Sequence, residues 1–162
     1  MVRSHMRLAL YQPDIPQNTG TILRMAACLQ TPVDIIGPAG FDMSDRALKR
    51  AGLDYLPHVN LTRHICWADF LCWLRQCPQP GRLVLLSARA NRTHISFAFG
   101  ASDILVLGRE SAGVPDEVRA QVDAAVRIPM RPGLRSLNVA VAAAIVLGEA
   151  LRQTGGFAPT TD

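Results

Sequence analysis

The chain has 162 residues, 49% of them hydrophobic and 19% charged, with a formal net charge of +4. That length fits one domain with a substantial core, and that charge is mildly basic, compatible with a nucleic-acid partner without requiring one. No apolar run reaches the roughly 18–20 residues, free of charge, that crossing a bilayer needs, so a membrane partner is not expected.

The opening MVRSHM reads as an expression scar, residues 1–5, ahead of a native start at Met6. No secretory signal is seen, and a cytoplasmic site is the default. The four cysteines, Cys28, Cys66, Cys72 and Cys77, form no CxxC pair, and His58, His64 and His94 show no ligand spacing beside them. Partly buried, reduced thiols are expected, with no metal and no disulfide framework.

Leu8–Tyr11 is a short apolar strand running into the loop QPDIPQNTG, where Asn18 or Thr19 can cap the following helix. Arg24 is the one cation in that otherwise apolar helix. Placed in its early turns, it either makes a salt bridge or faces a phosphate. Val33–Ile36 is a second buried strand, closed by Gly37-Pro38. Ser44 caps a basic helix from Asp45 to about Leu53, with Arg46, Lys49 and Arg50 on one side, either solvated or set against RNA backbone.

Cys66 to about Gln76 forms an amphipathic helix with Trp67, Phe70, Leu71 and Leu74 inward. Arg82–Leu86 is a third strand, followed by an arginine-bearing loop over Ser87–Thr93. Ile104–Leu107 is a fourth, running into GRESAGVP, where Pro115 suits the first helical position with Asp116 and Glu117 behind it.

Ala125–Ile128 is a last short strand, stopped by Pro129. The loop Met130–Ser136 leads to a helix from about Leu137 to Arg152, almost entirely apolar to Leu147, with Ser136 at the N-cap and Gly155 beyond its end. A helix apolar on all sides is buried or shared with a partner. Its N-terminus opens on a polar loop and serves either as an ordinary cap or as a ligand site. Strands that are continuous apolar runs, alternating with helices, indicate an α/β fold with a mostly parallel sheet flanked by helices. One domain spans 6–154, and 155–162 forms a loose tail.

Parallel sheets bind ligands at the carboxyl ends of their strands, and the ends after Leu86, Leu107 and Ile128 carry the unusual loops. Gly108 lets a ligand approach the backbone closely. There is no GxGxxG, no Walker A sequence, no GxSxG elbow and no paired-carboxylate signature, which speaks against dinucleotide binding and nucleotide hydrolysis.

NTGTILRMAA, LGRESAGVP and IPMRPGLRSLNVAVAAAIVL resemble, in order and spacing, the three motifs of the SPOUT (SpoU–TrmD) superfamily of S-adenosylmethionine-dependent RNA methyltransferases. LYQPDIPQNTG, RAGLDY and RIPM are most similar to the small single-domain TrmL (YibK-like) group, which 2′-O-methylates the wobble ribose, position 34, cytidine or uridine, of leucine tRNAs. The resemblance implies a C-terminal deep trefoil knot, which ordinary topology rules would disfavour. It further implies a homodimer with the knot at the interface, a tRNA anticodon stem-loop as substrate, S-adenosylmethionine as methyl donor and no metal.

On the matching positions, Leu86, Gly108, Ile128 and Ser136 would hold the cofactor, with Met130 and Leu137 as neighbours. Arg24 would be catalytic, joined by Ser136 and Asn138. Asn18, Arg24, Glu110 and Arg135 would meet the substrate. Arg109 stands where relatives more often carry Pro, Ser or Asn. Two other readings compete: a superfamily enzyme acting on rRNA or another tRNA position, and a non-catalytic RNA-binding module.

Overall fold

A computed structural model describes residues 5–50 and 54–160. Seven strands lie in one sheet, all parallel: β1 Arg7–Tyr11, β2 Val33–Ile36, β3 Leu61–His64, β4 Leu83–Leu86, β5 Arg92–Thr93, β6 Ile104–Leu107 and β7 Ala124–Arg127, in the order β3-β2-β1-β6-β4-β7-β5. The helices are α1 Pro16–Cys28, α2 Asp45–Arg50, α3 Trp67–Gln76, α4 Asp116–Arg119 and α5 Val139–Thr154. The expected α/β architecture with a parallel sheet is therefore present.

Successive side chains of a strand point to opposite faces, and both faces of this sheet are covered, which is why its central strands are apolar throughout. Leu8, Leu10, Leu105 and Leu107 face one core with Ile22 and Leu23 of α1 and Val146 and Leu147 of α5. Ala9, Ile104 and Val106 face the other with Phe70 and Leu74 of α3 and Val118 of α4. Of the aromatics expected inward on α3, Phe70 is buried, while Trp67 is half-buried and packs edge-on to Tyr11.

Two strands escape the sequence reading. β3, LTRH, is an edge strand with one apolar position, and β5 is a two-residue pairing inside the expected loop. β7 begins and ends one residue earlier than the expected Ala125–Ile128.

Helix starts also shift. Pro16, with its φ preset and no N–H to satisfy, takes the first position of α1 after an extended Ile15. Asn18 and Thr19 therefore lie inside the first turn and do not cap, and Arg24 falls mid-helix instead of in the early turns. Asn138, not Ser136, caps α5: its Oδ1 accepts from Ala140 N at 2.8 Å and Val141 N at 3.3 Å. Pro115 is likewise the N-cap of α4 and not its first residue. Ser44 does cap α2, accepting from Ala47 N at 3.2 Å, and Arg46, Lys49 and Arg50 are all exposed. The expected continuation of α2 through Leu53, and the centre of RAGLDY, lie outside the described residues.

Cys28, Cys66 and Cys72 are exposed, contrary to the expected partial burial, and all four thiols are free. Among the described residues no helix is long and apolar enough to cross a membrane, and no group of three or more His, Cys, Asp and Glu gathers as a metal site would.

One charged cluster sits inside the sheet. Asp34 of β2, wholly buried, takes Arg7 Nε of β1 at 2.8 Å and His64 Nε2 of β3 at 2.8 Å, while His64 and Arg7 pack on Trp73. Both carboxylate oxygens are thus satisfied, and three neighbouring strands are tied in register. Removing one member of a buried ionic cluster leaves the others desolvated and unpaired, costing about 3–5 kcal/mol. Asp34→Ala is expected to lose that much stability in urea unfolding. Asp45→Ala, which breaks the exposed pair with Arg63, should lose less than about 1 kcal/mol; equal losses would show that Asp34 holds nothing together.

Candidate active site

The carboxyl ends of β4, β6 and β7 open into a cleft of about 770 Å³, within the roughly 300–1,000 Å³ range of small-ligand sites. All six residues expected to hold the cofactor, Leu86, Gly108, Ile128, Met130, Ser136 and Leu137, line it. The floor is apolar because the strands that end there are core strands. The rim is polar because the loops beyond them are not.

Gly108 is needed for a reason other than the expected one. A Cβ there would lie 2.8 Å from Gly113 Cα, closer than real Cβ contacts allow. The loop folds back at this point, with Arg109 N donating to Gly113 O at 3.0 Å and Gly113 N to Arg109 O at 2.8 Å. Gly113 itself turns the chain at φ 64°. The glycine therefore serves the closure of its own loop, as well as lying on the cleft wall.

A continuous polar chain joins the loop after β1, the loop after β6 and the start of α5. Glu110 accepts from Asp14 N at 3.1 Å and from Asn18 Nδ2 at 3.4 Å. Asp14 in return accepts from Glu110 N at 3.2 Å and from the Ser111 hydroxyl. Asn138 Nδ2 donates to Asn18 Oδ1 at 2.9 Å, so the α5 cap is held by the same network. Arg109 anchors the other end, donating to Gln12 Oε1 at 3.3 Å and lying 3.8 Å from Asp14. The departure at position 109 thus has a local role: it binds the second motif to the loop after β1.

The two acids of this chain are pulled apart in acidity. The Glu110 side chain first, and the Ser111 hydroxyl next, hold Asp14 down to about 2. Burial first, and the Asp14 side chain second, push Glu110 above its usual range. Asp14 is therefore the first of the two to ionise and Glu110 the second.

Asn18, Glu110 and Asn138 come together at the cleft as expected. Arg24 and Arg135 do not line it. Arg24 is exposed, its guanidinium carbon 4.6 Å from the Tyr55 ring centroid and Nη2 3.5 Å from the Tyr55 hydroxyl. Arg135 is exposed on the loop before α5. Asp14 was missed because its partner lies 96 residues away, a pairing no local spacing reveals. Ser87, Arg89 and Arg119 also line the cleft and carry no motif signal.

Residues 5–148 match the family model described as SpoU rRNA Methylase family. A protein of Beijerinckia indica named tRNA (cytidine(34)-2′-O)-methyltransferase is 58% identical over 155 residues, 96% of each chain. A solved structure described as structural insights into the 2-OH methylation of C/U34 on tRNA superposes with a TM-score of 0.84 at 44% identity, covering 93% of this chain and 97% of its own. The SpoU methyltransferase AviRb of Streptomyces viridochromogenes, in complex with AdoMet, superposes with a TM-score of 0.84 at 28% identity, covering 94% of this chain and 62% of its own. With a family model spanning most of its length and a relative this similar over nearly all of it, the chain belongs to the SpoU methylase family of the SPOUT superfamily.

Proposed function

We propose that this protein is an S-adenosylmethionine-dependent methyltransferase that 2′-O-methylates the wobble nucleotide, position 34, of leucine tRNAs. It would bind the anticodon stem-loop in the cytoplasm. The observation that carries the reading is the cleft itself, at which the three motifs meet through the Asn18–Glu110 and Asn18–Asn138 bonds. The relative of 58% identity, named for cytidine 34, supports the substrate.

The cleft fits the cofactor: apolar walls at Leu86, Ile128 and Leu137 suit an adenosyl group, and polar side chains stand at the rim. Leu86, Gly108, Ile128, Met130, Ser136 and Leu137 would hold it. When bound, S-adenosylmethionine supplies a methyl group activated by its sulfonium.

The chain's own contribution is positioning, since in-line transfer depends on alignment. Arg24 lies outside the cleft, so its part is on the RNA: it grips the phosphate beside the target ribose and stabilises alkoxide character at the 2′-oxygen. A guanidinium with a pKa above about 12 is a poor base. Arg135 and exposed Ser136 stand on the loop that RNA must approach. Asn138, whose amide is engaged at both ends, acts by holding that loop.

A homodimer is part of the same reading. Val141 and Ile145, one turn apart on α5, are 48% and 39% exposed, and Leu137 just before the helix is 39% exposed, an apolar surface that a second copy would cover. The trefoil knot is supported by strand order: β7 lies between β4 and β5, although only residues 87–91 join those two in sequence. Gln153 near the end of α5 then binds Phe97 O and Phe99 N, each at 3.0 Å, as a helix threaded past that segment would.

Arg24→Ala is expected to bind the cofactor within about twofold of wild type by calorimetry, while methyl transfer to tRNA falls about 10²–10³-fold, the cost of one charge-stabilising donor. Normal turnover would remove Arg24 from the mechanism. Labelled methyl should enter bulk tRNA and map to nucleotide 34; label in rRNA instead would transfer the assignment to the rRNA reading.

The acid pair gives a pH signature. A raised carboxyl pKa favours the fold while protonated, so the Glu110 contribution is full below the ordinary glutamate range and declines as pH rises through its raised value. The Asp14 contribution runs oppositely, present above the ordinary aspartate range and lost as pH falls towards 2. Glu110→Gln keeps the neutral shape, so its Tm relative to wild type should climb from pH 4.5 to pH 8. A difference that stays constant across that range would mean that folding does not raise the Glu110 carboxyl.

A further inference from the structure

Four arginines line the cleft: Arg89, Arg109, Arg119 and Arg127. Arg109 is engaged with Gln12 and Asp14. Arg119, at the end of α4, differs. Its Nη1 donates to Ser87 Oγ at 3.3 Å, while its Nε is buried and has no hydrogen-bond partner. Among the described residues no carboxylate lies within ion-pair distance of it.

A buried guanidinium nitrogen without a partner is unfavourable, and the hydrogen bonds say which edge of it is unpaired. Nη1 is taken by Ser87. The other edge of the fork, Nε with Nη2, is the one that pairs side-on with two oxygens of a planar anion. Ser87 Oγ is itself fixed, also accepting from Arg89 N at 3.3 Å, so the guanidinium is braced against the loop after β4.

We propose that Arg119 is a cofactor-binding residue that receives the carboxylate of the amino-acid half of S-adenosylmethionine. This rests on the methyltransferase reading above. The carboxylate is that molecule's only anion, beside a sulfonium and an ammonium. Of the four cleft arginines, Arg119 is the one that, among the described residues, combines a buried unpaired nitrogen with no carboxylate in ion-pair distance, and the carboxyl group of the lining is Glu110. Bound with its carboxylate on Arg119, the cofactor has its two cationic groups free to lie towards Glu110 and away from the guanidinium. RNA phosphate is the competing anion. The basic groups disposed for a polymer, Arg46, Lys49 and Arg50, are exposed on α2, whereas Arg119 is half-buried with its Nε inside the cleft wall.

The test is calorimetry on the full chain with two nucleosides: S-adenosylhomocysteine, which keeps the carboxylate, and 5′-methylthioadenosine, which lacks it. Arg119→Gln is expected to weaken the first about 10–100-fold, as loss of a charged hydrogen-bond pair does, and to leave the second within about twofold. Retained binding of the second shows that the variant is folded. Arg119→Lys, which keeps the charge but loses the fork, should fall between. Equal loss of both ligands, or of neither, would overturn the assignment. So would weakened tRNA binding with S-adenosylhomocysteine affinity intact, which would give Arg119 to the phosphate backbone. A wild-type protein that binds neither nucleoside would instead overturn the methyltransferase reading on which this one rests.

Discussion

The cleft exists because Asn138 performs two tasks with one amide. Its oxygen takes the orphan N–H groups at the start of α5, and its nitrogen reaches Asn18 in the first turn of α1. A side-chain cap fixes the entry angle of a helix, and here the cap is itself fixed by a bond to a distant element. Through Asn18 the constraint passes to Glu110, Asp14 and Arg109. Three loops with little regular structure are thereby held relative to one another, which is what a preorganised site needs.

The sheet beneath supplies a rigid frame for those loops. Central strands apolar on both faces fix the ends of β4, β6 and β7 side by side, and the Asp34 cluster ties the far half of the sheet, β1 to β3, in register. The buried charge does not face the cleft, so its effect is on pairing rather than on ligand chemistry. A one-residue slip would turn Asp34 towards the opposite core, which is built of apolar side chains such as Leu8, Val33 and Ile35. The cluster therefore acts against misregister as much as it adds stability.

Fold class was legible because it is written locally: LALY, VDII, LVLL and ILVL are each too short and too apolar for anything but buried strands. What was illegible depends on context. LTRH becomes a strand only because an edge strand needs little apolar surface. Pro16 begins α1 earlier than Asn18 would, since a preset φ outranks a good capping side chain lying inside the turn. The six cofactor positions came from resemblance of motifs, and periodicity alone would have left them as loop residues. Asp14 and Arg119 were invisible for opposite reasons. Asp14 works through a partner far along the chain, and Arg119, at a helix C-terminus, reads as ordinary dipole complement until its lack of an anion is seen.

The apolar α5 is explained in two halves that meet at one residue. Ala143, Val146, Leu147 and Ala150 fill the core against α1, which accounts for one side of the helix. Val141 and Ile145 account for the other and remain exposed in the single chain. Leu137, exposed just before the helix, is also a wall of the cleft. In the proposed homodimer, a copy covering Val141 and Ile145 would also approach Leu137, so the surface that joins two protomers would help close the site. Excluding water there strengthens every polar contact around the reacting groups. On that geometry, dimerisation and cofactor binding share a side chain and should be energetically linked, each favouring the other by the same factor.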